Sequence, residues 1–185
     1  MTAEVRAVTD VDETLRRELL AVWTAVTNAG GAVGFVPPVT DDDIAPTLDD
    51  LVRRLREGRA VLALLTVDGR TAGFAVLIRA AGPLRRHWAS VLRVQVHPSL
   101  QGRGLGRVLM DGVHAIARAE GLEFLHLGAR EGTGVDGFYR RLGYREVGRL
   151  PGAIRVAPGD DRDEILLVRP LGAASVRPSG GSGTS

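Results

Sequence analysis

Apolar and polar positions repeat along this chain with two periods that take turns. Val5 to Val8 reads as a short strand. Leu15, Leu19, Val22 or Trp23, and Val26 then recur every three to four residues, which predicts an amphipathic helix capped by Thr9 or Asp10. It should end at Asn28-Ala29-Gly30-Gly31. A glycine-rich loop, Gly30 to Phe35, and Pro37-Pro38 follow. Thr40 and Asp41 to Asp43 suit a second helix start, where carboxylates meet the positive end of the helix dipole. Pro46 should lie near its first turn and Gly58 at its end.

Beyond Gly58 the strand period dominates. Ala60 to Val67 and Thr71 to Arg79 flank Asp68-Gly69, a hairpin signal. Ala80 to His87 is a loop, and Trp88 to Val96 is a strand closed by His97-Pro98. Leu105, Leu109, Val113 and Ile116 then form the inner face of a helix from about Gly104 to Ala119. Glu123 to Gly128 is a strand and Val135 to Leu142 a short helix. Tyr144 to Leu150 and Asp163 to Arg169 are two last strands. The order is β-α-α-β-β-β-α-β-α-β-β, an α/β sandwich with a mixed sheet. Residues 1–171 should form a single domain, and 172–185, small and polar, a disordered tail.

Composition narrows the chemistry. The 185 residues suit one core, and 44% hydrophobic residues exclude a disordered chain. Cysteine is absent, which removes disulfides, thiolate metal sites and a thiol nucleophile. All 24 basic side chains are arginine, so Schiff-base chemistry and a Walker-type lysine are excluded. The pI of 9.9 overstates the cationic character, since net charge is only +2. Few aromatics and little net charge argue against a nucleic-acid partner. No apolar run approaches the ~18 residues that a membrane span needs. Met1 to Asp12 holds four charged side chains and no apolar run, so no secretory leader is expected and a cytoplasmic location is the default.

The stretch that carries chemistry runs from Leu92 to Met110. It reads as strand, proline stop, glycine loop and amphipathic helix. Gly102, Gly104 and Gly106 let the backbone approach a ligand closely, and successive N–H groups at a helix start form an anion site suited to a diphosphate. Arg103 and Arg107 add positive charge. A dinucleotide fingerprint would need glycine where Arg107 stands, and a P-loop would need Lys then Ser or Thr. A plain strand-to-helix turn does not call for three alternating glycines behind Gln101.

Gln101-Gly-Arg-Gly-Leu-Gly106 resembles the Gln/Arg-x-x-Gly-x-Gly/Ala signature of the GNAT superfamily of N-acetyltransferases. Gly137-Phe-Tyr-Arg-Arg-Leu-Gly-Tyr144 looks like that family's second hallmark. Within the superfamily the chain is similar to the tabtoxin resistance acetyltransferase branch, through Gly30 to Phe35, Arg103 to Asp111, Leu125-His-Leu127 and Gly148-Arg-Leu-Pro-Gly152. The resemblance implies a mixed, mostly antiparallel sheet of six or seven strands with helices on both faces. It implies acetyl-CoA as co-substrate, no metal, and cofactor contacts at Val94, Val96, Gln101, Gly102, Arg103, Gly104, Leu105, Gly106 and Arg107. Val94 and Val96 would contribute main-chain groups where two strands splay, one N–H polarising the thioester oxygen.

Tyr139 stands at the family's tyrosine position and is the candidate acid for the departing thiolate. Gly128 stands where relatives of the tabtoxin branch tend to carry an acid. Glu131, closest along the chain, is the candidate base, with Asp136 and His97 as alternatives. His126 should be a satisfied histidine on the opposite face from Leu125 and Leu127, and His87 and His114 should be solvated. The expected activity is acetyl-CoA-dependent N-acetylation of a small-molecule primary amine, amino-acid-like or antibiotic-like, by a monomer or homodimer. A protein N-acetyltransferase and a silent acyl-CoA-binding sensor are the alternatives.

Overall fold

The computed structural model describes residues 1–172; the segment expected to be a tail, but for Gly172, lies outside the described residues. The strands are β1 (Ala3–Val8), β2 (Ala60–Val67), β3 (Arg70–Arg79), β4 (Trp88–Val96), β5 (Phe124–Arg130), β6 (Arg145–Ala157) and β7 (Asp160–Pro170). The helices are α1 (Glu13–Asn28), α2 (Asp41–Arg56), α3 (Leu105–Ala119) and α4 (Val135–Arg141). The element order is the one the periodicity predicts.

Asp12, not Thr9 or Asp10, caps α1: its carboxylate accepts from the Leu15 N–H at 2.7 Å. At α2 the Asp43 carboxylate accepts from the Thr40 N–H at 2.8 Å, and that bond holds its pKa below the usual range. Pro46 falls in the second turn rather than the first, where its missing N–H would have gone to the Asp42 carbonyl. On α3 the inner face rotates from the expected one. Leu105, Leu109, Met110, Val113, His114 and Ala117 are buried, while Ile116 is only partly so.

The seven strands form one sheet in the order β1-β2-β3-β4-β5-β7-β6. Every pair is antiparallel except β4 with β5. Asp68 and Gly69, both at positive φ, turn the β2–β3 hairpin. Each face has its own core. Trp23, Ile44, Leu48, Leu62, Leu64 and Phe74 join α1 and α2 to one face. Leu65, Leu77, Leu109, Val113, Leu127 and Leu167 join α3 and α4 to the other.

Two irregularities position the site. Parallel pairing between β4 and β5 stops at Ser90 with His126, so residues 91–96 lose their β5 neighbour. Upstream of Gln95, two β4 residues, Arg93 and Val94, face the single β3 residue Ala75. This β-bulge puts Arg93 at φ 56.

Candidate active site

The splay between β4 and β5 opens into two cavities. The first, of about 350 Å³, is lined by Val94, Val96, the Gln101–Arg107 loop, Val135, Phe138 and Tyr139, among others. The second, of about 400 Å³, is lined by the Ala32–Val36 loop, β4 residues Val91 to Val94, Gly128, Tyr139 and Glu164, among others. Val94 and Tyr139 line both. A depression of about 670 Å³ beside the start of α1 and the end of α2 lies away from the splay and is lined by paired charges such as Arg16–Asp49.

The first cavity is built around free amides. Gly104 caps α3 at φ 78, and the N–H groups of Gly102 to Gly106 have no hydrogen-bond acceptor among the described residues. Five free donors around the positive end of a 15-residue helix suit a diphosphate. Gln101 is spent on architecture: its Nε2 donates to the Val96 carbonyl at 2.9 Å, pinning the loop to the strand end. Val96 therefore keeps less free main chain than the sequence suggests. Of the nine residues expected to contact the cofactor, Arg103 alone does not line this cavity.

The buried ring of Tyr139 packs edge-on against Tyr144, with centroids 5.7 Å apart. Its hydroxyl has no hydrogen-bond partner among the described residues, and burial raises its pKa to about 12. The phenol is therefore protonated throughout the physiological range. A thiol is a stronger acid than this phenol, so outright proton transfer to its thiolate is uphill. The hydroxyl suits donation of a hydrogen bond to negative charge on sulfur better than complete proton release.

A carboxylate from the neighbouring strand stands beside Gly128. Gly128 pairs with Leu166 and Arg130 with Glu164, so these four side-chain positions share one face of β5 and β7. A Cβ added to Gly128 would lie 2.0 Å from Glu164 Oε1. The Glu164 carboxylate thus fills the space a residue-128 side chain would take, and it has no hydrogen-bond or ion-pair partner among the described residues. The sequence reading missed it.

Glu131 is corrected as the candidate base. It lies one residue beyond β5, is exposed, and its carboxylate is held by Arg149 Nη1 at 2.8 Å. It lines neither cavity of the splay. Asp136 faces Arg140 at 3.6 Å, and His97 Nδ1 pairs with Ser99 Oγ at 2.8 Å; neither lines these cavities. His126 is half-buried against Trp88 with Nδ1 unpartnered, so it is not satisfied as expected, and burial lowers its pKa. His87 is exposed as expected. His114 is not solvated: it is 2% exposed, hydrogen-bonds Tyr144 Oη at 3.2 Å and contacts Arg169. Burial, then the charge of Arg169, lowers its pKa to about 4.

Residues 58–146 match the family described as the acetyltransferase (GNAT) domain. The chain has the fold of a GNAT acetyltransferase domain. Solved structures carry the likeness beyond the matched segment. The ribosomal-protein-S18-alanine N-acetyltransferase from Escherichia coli superposes with a TM-score of 0.69 at 18% identity, covering 96% of this chain and 99% of that one. A GCN5-related N-acetyltransferase from Kribbella flavida gives 0.72 at 22% identity, covering 91% and 97%. The yncA protein from Salmonella typhimurium, solved with its cofactor acetyl-CoA, gives 0.71 at 17% identity, covering 96% and 99%. Among curated proteins, the tRNA(Met) cytidine acetyltransferase TmcA of Nitrosococcus halophilus (strain Nc4) is 38% identical over 65 residues. That alignment spans 34% of this chain and only 8% of TmcA. The β4–β5 splay, the glycine loop and Tyr139 all fall within the matched residues 58–146.

Proposed function

We propose that the protein is an acetyl-CoA-dependent N-acetyltransferase that moves the acetyl group to the primary amine of a small molecule by direct attack on the thioester. The observation that carries this reading is the meeting of two cavities at Val94 and Tyr139. The Gly102–Gly106 amides would hold the diphosphate, and the unpaired edge of β4 would align the pantetheine arm. The thioester would then lie between Val94 and Tyr139. An incoming amine in the second cavity would find the Glu164 carboxylate across Gly128.

The proton balance follows. The ammonium form of an alkyl amine cannot attack, so Glu164 or a water it orients takes one proton. Nitrogen then bonds to the thioester carbon, and the carbon–sulfur bond breaks. Negative charge builds first on the carbonyl oxygen, facing β4 main chain, and then on sulfur, facing the Tyr139 hydroxyl. The nitrogen loses its second proton as the amide forms, the expelled thiolate takes up one proton, and the proton held by Glu164 leaves to solvent. One ammonium and one thioester thus give one amide, one thiol and one proton.

The acceptor side favours a small molecule over a polypeptide. Ala32 to Val36 form one wall of its cavity, and this loop is fixed: Trp23 Nε1 donates to the Val33 carbonyl at 3.0 Å, and Asn28 exchanges two 2.9 Å hydrogen bonds with Val39. A peptide groove would need this side open. The likeness of Gly30 to Phe35 to the tabtoxin resistance branch agrees. Free-thiol release from acetyl-CoA, measured across amines, amino acids and N-terminal peptides, tests the reading. Turnover on small amines is expected; preference for peptides, or CoA binding without turnover, would overturn it.

A further inference from the structure

The acceptor cavity has a second charged pole that acetyl transfer alone does not require. Arg93 lines it beside Val94. Its guanidinium lies over the Trp23 ring, 5.4 Å from the centroid, and burial alone lowers its pKa. No carboxylate among the described residues pairs with it. Every acid near the cavity is otherwise engaged or sits at the other pole. Asp161 is bound bidentately by Arg155, and Asp50 by Arg53 and Arg54. A half-buried cation with no counter-charge is costly unless a ligand supplies one.

The surrounding residues are shaped to it. A Cβ on Gly34 would stand 1.7 Å from Arg93 Nη1, so the glycine-rich loop closes over the guanidinium only because residue 34 has no side chain. Arg93 itself holds φ 56, a conformation that disfavours any L residue. Trp23 is in turn braced edge-on by Phe35 and Phe74, at 5.8 and 5.7 Å between centroids. The fork is thus held in place before any ligand arrives.

We infer that the acceptor carries a carboxylate as well as its amine, with Arg93 binding the carboxylate while Glu164 faces the amine. A guanidinium matches a carboxylate bidentately, and one desolvated cation balances a monoanion. Arg130, which also lines the cavity without an ion pair, adds positive potential on the β5 side. The substrate class is an amino acid or other small amino-carboxylate. This deepens the acetyltransferase reading and rests on it for the amine's fate, but carboxylate binding itself does not need turnover.

Calorimetry on the unliganded protein tests it, with a panel of amino acids, the matching amino-acid amides and the decarboxylated amines. Some of the acids should bind at least tenfold tighter than their neutral counterparts. Arg93→Gln should remove that difference, and Arg93→Lys, which keeps the charge but loses the fork, should retain part of it. Equal binding of acids and amides, no binding by any acid, or an unchanged preference in a folded Arg93→Gln protein would each overturn the inference. Should Arg93→Gln fail to fold, a preference that is reduced but still present in Arg93→Lys is the deciding result, and an unchanged preference there overturns the inference. Free-thiol release is read separately: carboxylate-selective binding without any turnover would sink the acetyltransferase reading and leave the Arg93 assignment standing.

Discussion

Replacing Gly128 with alanine adds one methyl group beside the only carboxylate aimed into the acceptor cavity from β7. That methyl would stand 2.0 Å from Glu164 Oε1, 2.7 Å from its Cδ and 3.0 Å from its Cγ, where ordinary contact begins near 3.4 Å. The carboxylate must therefore retreat by about 1.4 Å. Displacements of ~1 Å at a reacting group cost on the order of 10²-fold, and losing a general base altogether costs 10²–10⁴-fold. kcat/KM in Gly128→Ala should fall by roughly 10²-fold, equivalent to about 3 kcal/mol of barrier. The fold should not suffer. Position 128 has no left-handed φ, its methyl meets only a flexible side chain, and alanine in a strand is favoured over glycine by roughly 0.5–1 kcal/mol.

The assay is free-thiol release with any amine the protein acetylates, followed across pH, with a thermal melt as the folding control. Glu164→Gln should give a similar loss and remove whatever acid-side limb the wild-type profile shows. The exchange Gly128→Asp with Glu164→Ala puts an acid on the vacated side and clears the space for it. It should recover part of the activity that Glu164→Ala alone loses. Full activity in Gly128→Ala with an unchanged pH profile would refute the role given to Glu164.

Three further outcomes follow. Tyr139→Phe should lower kcat by roughly 10²-fold with CoA affinity nearly unchanged, since only a hydrogen bond to the departing sulfur is lost; unaltered turnover would make Tyr139 a packing residue. Gly104→Asp places a carboxylate among five free amides and should weaken CoA binding by at least 10²-fold in calorimetry, whereas Gly104→Ala, which shares the φ 78 strain but adds no charge, should weaken it less. His114 is neutral in the fold, with its pKa lowered to about 4 against 6.5 when unfolded, so its contribution is complete above 6.5 and is lost as pH falls from 6.5 toward 4. The loss is at most about 3 kcal/mol, less with salt screening of Arg169, and His114→Gln should flatten that part of the melting-temperature profile.

The element order was legible because most elements carry a local apolar pattern of their own, and so was the glycine loop, whose three alternating glycines follow directly on Gln101. Features set by distant partners were not. Glu164 lies 36 positions from Gly128 and reaches it only through the β5–β7 register, which no local pattern states. His114 is a titratable residue on α3 that its sequence neighbours do not mark as buried, yet the helix turns it inward toward Tyr144 and Arg169. β6 extends to Ala157 rather than ending at Leu150, although Pro151 and Gly152 follow that position. As the sheet's last strand it pairs on one side only, so a missing N–H costs little, and its register shift between Leu150 and Ile154 absorbs the irregularity.

Arg93 explains why the bulge in β4 is more than a kink. The extra residue breaks the pairing rhythm against β3 and coincides with the loss of the β5 partner, so the same irregularity accompanies both the donor cleft and the acceptor cavity. A residue needed only to bend the strand would be glycine, which adopts φ 56 without penalty. Arginine there carries local strain and gives up hydration of its charge. Both costs remain in the unliganded protein. Its stacking on Trp23 and the bare Cα of Gly34 offset only part of them, because neither supplies a negative charge. What completes the balance is a carboxylate arriving in the cavity, so binding energy at one end of the acceptor would fix the other end, its amine, beside Glu164 and the thioester position. Selectivity for the acceptor and alignment for attack would then share one origin, the single extra residue in β4.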